Sequence, residues 1–556
     1  MNDFKLRFIP LGGIVDVTKN MYLYELYENN TLVDILIVDC GIGFPKEKEL
    51  GIDFVIPDIS YLEGKMDKVR AVLLTHGHED HITALRFHYD KLGRPPIFGS
   101  RLTAVLTEAK FAEFGLSVKV NEVDYKKDYQ LGRFTARFIQ LTHSIPDATH
   151  ILIKTPVGNF YHGADFKFDL TPPYGPPPNF SAITKAGDEG ILCLLSDCLG
   201  AENEGLTLSE KIVGKTFDDE MRQTKGKFFM TTFSSNISRI RQCVEAAIKY
   251  NRKICFLGRS VRENTRLAKT IGYLPIPEKF LIREEEVNRF AANKVCFIIA
   301  GSQGQFNSAL SKVANNENKN VKIKDGDRVI FSSDPIPGSE NEVYNLIERL
   351  SLLKATVVYS DIHNQLHASG HGNQEDLKFL IRFTNPRYLL PIGGTIRHQR
   401  QYLELAKDLG YHERQVVLLQ EGETYWFGRD KGSLGQSIKT KNIYVDAYGV
   451  GDVGNVILRD RQTLAKEGMV VLNLIIDQSG QLLIRPQFIS RGFTFGKDEK
   501  IIFAEAEKET ERLFNLKKPK KQDVKNFKHE LIKSLESFFH KKTGREPLVV
   551  VEIIEI

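Results

Sequence analysis

"LLTHGHEDH", residues 73–81, sets three imidazoles and two carboxylates within six positions, on the heels of the apolar run "AVLL". An apolar strand that ends in ligand-type side chains delivers them to one edge of a sheet. Imidazole suits zinc or manganese, and carboxylate suits harder ions. Alternation at His76 and His78 turns both rings to one side of an extended turn. Asp80 and His81 then point elsewhere and can serve a second ion. The next segment, "ITALRF", reads as the start of a helix.

Two ions need more ligands than this stretch supplies. "FIQLTHSIPD" (138–147) presents His143 at a strand end, and "NFYHGADFKFD" (159–169) presents Asp165 at another. Taken alone, such a histidine is as often a cap, and such an aspartate a turn former. Together with the first motif they make a candidate metal set.

The 556 residues suggest about three or four domains. A hydrophobic content of 42% provides for large cores, and a net charge of +5 from 76 basic and 71 acidic residues does not by itself indicate nucleic acid. The six cysteines form no CxxC pair and mostly sit in apolar runs, as buried free thiols of a cytosolic protein do. No signal pattern opens the chain and no apolar run reaches about 18 residues, so a soluble cytoplasmic protein with no membrane partner is expected.

The first stretch, 1–207, alternates short strands with Gly-rich or polar loops. From 208 to 360, helical patterns such as "SRIRQCVEAAIKYNRK" alternate with strands such as "KVCFIIAG", the mark of a parallel sheet flanked by helices. Residues 361–435 return to the character of the first part. A turn-rich connector, "EGETYWFGRDKGSLGQ", leads into a linker at 436–450, and 451–556 reads as a small α+β domain. The basic stretch "NLKKPKKQDVKNFK" reads as a solvated linker or helix face. "GVGDVG" (449–454) fits GxGxxG, but "NVILRDRQTL" after it opens like a strand, and a dinucleotide site needs a helix there.

His76, His78, Asp80 and His81 resemble the HxHxDH signature of the metallo-β-lactamase superfamily, in which a later His and Asp complete the site; His143 and Asp165 match them. The resemblance implies an αββα sandwich with two divalent ions, zinc or manganese, at the strand ends. "LLSDCLGAENEGLTLSE", "TTFSSNISRIRQ", "AGSQGQFNSALSKVA", "VIFSSDPIPGSENEV", "HASGHGNQEDLKFLIRFTNPRYLLPIGGTIRH", "GDVGNVILRDRQTLAKEGMVV", "ISRGFTF" and "KKTGREPLVVVEIIEI" are similar to β-CASP nucleases of the bacterial ribonuclease J type. That likeness spans nearly the whole chain and implies a β-CASP α/β domain inserted into the sandwich.

Within this resemblance Asp197 matches the acidic first β-CASP motif and His371 the second. His367, Ala368, Ser369, Gly370 and His371 resemble the segment that grips the scissile phosphate, through hydroxyl and backbone N–H donors. Ser235 and Asn236 match a site for a phosphate of the strand. Asp80, Asp197 and His371 are then the catalytic candidates. The third motif departs from the pattern: "PIGGTIRH" (391–398) has Gly393 where the family has a metal-binding histidine, and Thr395 where it has glutamate. Three readings follow: water fills the vacant position, His398, His363 or another nearby group reaches in, or the chain is a catalytically weakened RNA-binding paralogue. Cys198, where relatives often carry serine, is a second departure.

The resemblance implies a metal-dependent ribonuclease on single-stranded RNA, both a 5′→3′ exonuclease and an endonuclease, leaving 5′-phosphates in RNA decay and maturation. The alternative is a weakly active or inactive scaffold in an RNA-decay complex, with other RNA-decay proteins as partners. Hydrolysis of a β-lactam or thioester is disfavoured, because small-ester hydrolases have no use for the inserted domain. The apolar end "LVVVEIIEI" would be an aggregation risk if exposed, so a homodimer or larger homo-oligomer is expected.

Overall fold

The computed structural model describes residues 3–46, 48–336, 338–363, 365–429, 431–447, 449–479, 481–493, 497–517 and 524–556. Residues 518–523 of the basic stretch lie outside this set, as do 337, 430 and 494–495 within three of the segments quoted above. The chain forms two compact units, Met1–Phe44 with Val55–Ile443, and Pro45–Phe54 with Tyr444–Ile556.

The first unit contains the sandwich. One sheet has eight strands, among them Phe4–Gly12, Met21–Glu28, Thr31–Val38 and Val69–Leu73; the other has six, running from Tyr388–Ile392 through Ile191–Asp197, Asn159–Gly163, Thr149–Lys154 and Phe134–Gln140 to Asp128–Leu131. Their facing sides bury Phe8, Tyr24 and Val38 against Phe138, Ile151, Phe160 and Leu195. The outer face of the six-stranded sheet packs Leu152 and Leu194 under Leu377, Leu380 and Leu403 of the helices Gln374–Thr384 and Ile396–Asp408. This is the expected αββα arrangement. Ile191–Asp197 is apolar along nearly its whole length because it is covered on both faces, as a central parallel strand must be.

Parallel pairing is what assembles the site. Asn159–Gly163 runs parallel to Ile191–Asp197, which runs parallel to Tyr388–Ile392 with Asp197 opposite Ile392. Asp165, Asp197 and Gly393 therefore leave the sheet at one edge. In the other sheet Val38 lies opposite Leu73 in a parallel pair, so Asp39 and Thr75 emerge side by side. Carboxyl ends of parallel strands are where α/β sheets open a crevice for ligands.

Between the two parts of the sandwich lies a five-stranded all-parallel sheet in the order Lys253–Leu257, Val295–Ile299, Phe228–Thr231, Arg328–Phe331, Thr356–Val358. Helices such as Ile237–Lys249 and Glu340–Leu352 flank it, and Phe229, Phe297, Leu310 and Leu346 fill one of its faces.

In the second unit, Met469–Ile476 is paired antiparallel with Gln487–Arg491 and parallel with Leu548–Glu555. Its strict alternation of buried and half-buried residues turns one face to a core. There Phe527, Leu531, Leu535 and Phe539 form the stripe of helix Val524–Thr543, each burying a side chain for about 1.5–3 kcal/mol. The segment after "GVGDVG" corrects the expectation: Asn455–Glu467 is a helix, not a strand. Val456 and Ile457 favour a strand by propensity, but a 3.6-residue period places Leu458 inward and context prevails. The GxGxxG match still fails, because its strand, Gly449–Val450, is one short arm of an antiparallel hairpin with Ile443–Asp446.

Candidate active site

His76, His78 and His81 follow the strand Val69–Leu73, with His78 as the residue before the short helix Glu79–Ile82. His76 Nε2 lies 3.0 Å from His78 Nδ1, which lies 3.2 Å from His143 Nε2. Asp165 Oδ2 is 3.8 Å from His76 Nε2 and 3.9 Å from His143 Nε2. Four-coordinate zinc with nitrogens at 2.0–2.1 Å has ligand–ligand edges of about 3.3 Å. These four residues thus converge on a volume of ionic size.

The nitrogens turned away from the cluster meet protein groups, which leaves the other nitrogen of each neutral ring to offer a lone pair to an ion. His143 Nδ1–H donates to the Gly370 carbonyl at 2.6 Å, and His81 Nδ1–H to Asp39 Oδ2 at 2.8 Å. His76 Nδ1 lies 3.0 Å from Thr75 Oγ1, whose hydroxyl donates to Asp39 Oδ2 at 2.8 Å. His78 Nε2 is 3.3 Å from Ser144 Oγ. Carboxylate- and carbonyl-oriented imidazoles are the supporting pattern of metal sites. Burial and neighbouring imidazoles push His76 well below the ordinary range and His78 down to about 3, so both rings are neutral. The donor set fits a divalent cation.

A second grouping lies beside the first. His81 Nε2 is 3.3 Å from Asp165 Oδ2 and 3.7 Å from Asp80 Oδ2. Asp165, Asp197 and His371 bring ligand-type atoms within 4.8 Å of one another. His371 Nδ1 lies 2.8 Å from Asp197 Oδ2. Burial opposes protonation of His371, but Asp197 and Asp165 outweigh it and lift its pKa to about 9. Burial raises Asp80 to about 6, against the pull of His81. Gly393 has φ of +66°, and a Cβ there would lie 3.6 Å from Asp165 Oδ1 and Asp197 Oδ1, facing both carboxylates. His398 instead places Nδ1 3.2 Å from the Thr395 N–H as a helix cap, and its Nε2 is 3.5 Å from Glu202. Among the described residues, neither His398 nor His363 joins the metal-type groups.

The loop His367–His371 is tied down from several sides. Ser369 Oγ accepts the His371 N–H at 3.0 Å, and the Ala368 carbonyl accepts from Arg239 at 2.9 Å. Asn236 caps the helix Ile237–Lys249, its Oδ1 accepting the Arg239 N–H at 3.0 Å. Ser235 sits half-buried immediately before it.

Several supporting residues escaped the sequence reading. Asp39 orients His81 and Thr75 from a left-handed backbone, φ +58°. Gly41 is required because a Cβ would fall 1.6 Å from the Asp80 carbonyl oxygen. Asn20 Nδ2 lies 3.1 Å from His81 Nε2 and donates to the Asp80 carbonyl at 3.2 Å. The one signal was the polar, Gly-rich end of a strand, "VDCGIG".

Residues 16–190 match the metallo-beta-lactamase superfamily, and 225–350 the family described as Ribonuclease J, beta-CASP domain. Residues 355–416 match the Zn-dependent metallo-hydrolase RNA specificity domain, and 456–556 the Ribonuclease J C-terminal domain. The chain is 36% identical over 558 residues to Ribonuclease J of Thermus thermophilus, covering 99% of this chain and 95% of that protein. It is 34% identical over 551 residues to Ribonuclease J 1 of Streptococcus pyogenes, with 98% and 96% covered. With Ribonuclease J2 of Bacillus subtilis it shares 33% over 560 residues, covering 100% and 99%. A crystal structure of a protein of unknown function from Enterococcus faecalis V583 has the same fold, with TM-score 0.53 at 15% identity over 76% of this chain and 99% of that one.

Proposed function

The chain belongs to the ribonuclease J family, and from that premise we propose that it is a metal-dependent ribonuclease acting on single-stranded RNA, 5′→3′ from an end and also internally, leaving 5′-phosphates. One observation carries the reading: His76, His78 and His143, their outer nitrogens already engaged, converge with Asp165 beside an Asp197–His371 pair.

His76, His78, His143 and Asp165 would hold a first divalent ion; Asp80, His81 and Asp165 would hold a second, short of one imidazole because residue 393 is glycine. The first set suits zinc, and the oxygen-richer second suits manganese. A bound ion supplies Lewis acidity and an acidified water near neutral pH. Asp80, whose carboxyl is raised by burial in the ion-free cluster, would orient or deprotonate the attacking water. His371, lifted to about 9, is an imidazolium at neutral pH and would give a proton to the departing 3′-oxygen. Asp197 aims that ring, while Ser369 and the backbone of Gly370 and His371 shape the loop that meets the phosphate.

No helix among the described residues is long and apolar enough to cross a membrane. A cytoplasmic setting is part of the proposal, supported by six buried, unpaired cysteines. So is assembly into a homodimer or larger, alongside other RNA-decay proteins.

The test is end-labelled single-stranded RNA with Mn²⁺ or Zn²⁺, beside a His76→Ala control. Metal-dependent release of products with 5′-phosphates, lost in the variant, supports the enzyme. RNA binding with no cleavage by either protein would instead establish the scaffold.

A further inference from the structure

Arg239 is wholly buried, the bulkiest side chain in the first unit to be so. A guanidinium has five N–H donors and no acceptor, and here all five are engaged. Nε and Nη2 donate to Glu210 Oε1 and Oε2 at 2.7 and 2.8 Å, and Nη2 also donates to the Ala368 carbonyl at 2.9 Å. Nη1 donates to the Ser332 carbonyl at 2.7 Å and to His367 Nδ1 at 2.8 Å. Arg239 also sits one turn into the helix that Asn236 caps. One side chain therefore joins the Ser235–Asn236 corner, the end of the strand Arg328–Phe331 and the His367–His371 loop.

The contact with His367 has a chemical consequence. An imidazole nitrogen facing a guanidinium N–H must offer a lone pair, because the guanidinium cannot accept. The ring's single proton then resides on Nε2, on the side where Asp334 Oδ2 lies 3.6 Å away and its own carboxylate is half-exposed. We infer that Arg239 is a positioning residue that fixes His367 in its neutral Nε2–H form and, through the Ala368 carbonyl, holds the His367–His371 loop in the shape that meets a phosphate of RNA. Burial and the charges of Arg239, Lys167 and His371 hold His367 well below the ordinary imidazole range, which agrees with a ring that stays neutral. The assignment rests on the RNA-cleaving reading for its ligand but not for the tautomer.

The experiment uses full-length, zinc-treated protein with ¹⁵N-labelled histidine, the His367 signals being identified by their loss in His367→Gln. The wild type is expected to show His367 as Nε2–H without titration between pH 6 and 8.5. Arg239→Lys keeps a cation beside Glu210 but has one nitrogen where three donated. The paired Arg239→Gln/Glu210→Gln removes both charges and avoids leaving one buried alone. In whichever folds, His367 should exchange tautomers and titrate near about 6.5. Affinity for a single-stranded oligonucleotide should fall about tenfold, the scale of one hydrogen bond to a charged group. A wild-type His367 carrying its proton on Nδ1, or titrating normally, overturns the inference by itself; so does an unchanged tautomer in a folded variant. Failure of the wild type to bind RNA would count against the functional reading while leaving the tautomer result standing.

Discussion

Residue 393 is a glycine that faces the carboxylates of Asp165 and Asp197. Gly393 adopts φ +66°, a conformation that costs a residue with a Cβ about 1–2 kcal/mol, yet a Cβ there meets nothing nearer than 3.6 Å. Gly393→His is therefore expected to tighten the second Mn²⁺ and to raise turnover, while lowering the metal-free protein's unfolding temperature by a few degrees. Mn²⁺ titration followed by electron paramagnetic resonance, with calorimetry, checks both; two equally tight ions in the unmodified protein would show that another group already fills the role. A second prediction concerns pH. If His371 donates a proton, kcat/KM should fall as pH rises through about 9, where the imidazolium is lost. Asp197→Asn removes the carboxylate that lifts His371, so the alkaline limb should move to lower pH. An unmoved limb assigns it to some other group. The metal-type histidines could be read directly from spacing, whereas Asp39 and Arg239 could not. Asp39 meets a histidine 42 positions later, and Arg239 reads as an ordinary polar position on an amphipathic helix until the fold closes over it.

At the scale of elements, the loops that carry the chemistry are held by helix starts. Asp376, fully buried in the first turn of Gln374–Thr384, accepts N–H groups of Phe168, Thr207 and Asn373 at 2.8, 2.9 and 3.1 Å, and the Thr207 hydroxyl at 3.0 Å. Thr207 in turn lies 3.0 Å from the His371 carbonyl. One carboxylate thus ties the segment after Asp165 to the segment after His371. Asp376→Asn replaces an acceptor with a donor among donors and should cost about 2–3 kcal/mol. Urea unfolding measures that, and activity should drop with it; a variant as stable as the parent would remove Asp376 from this role. The strands bearing these loops were legible from apolar runs ending in Gly, His and Asp. The helix Asn455–Glu467 was not, because its β-branched opening argues for a strand when read locally.

For the whole molecule, the alternation of strands and helices after residue 208 was enough to foresee a parallel sheet, and the sandwich followed from the resemblance carried by the metal motif. How distant segments share one crevice depended on strand order, which no local pattern encodes. The second unit ends in the edge strand Leu548–Glu555, with Ile554 48% and Ile556 68% exposed. A chain ending at Ile443 is expected to run as a monomer in light scattering, against a heavier full-length protein; equal states of assembly would place self-association elsewhere. The engagement of the outward nitrogens of His76, His81 and His143 by Thr75, Asp39 and Gly370 reaches beyond chemistry. A rack built before its cargo arrives can be emptied and refilled without dismantling the shelf. Stripping with a chelator should abolish cleavage yet leave near-ultraviolet circular dichroism and a single cooperative melt, displaced downward only by the lost binding energy. Adding Mn²⁺ or Zn²⁺ back should restore activity on mixing, with no refolding delay, and aggregation of the stripped protein would show that the ion is structural.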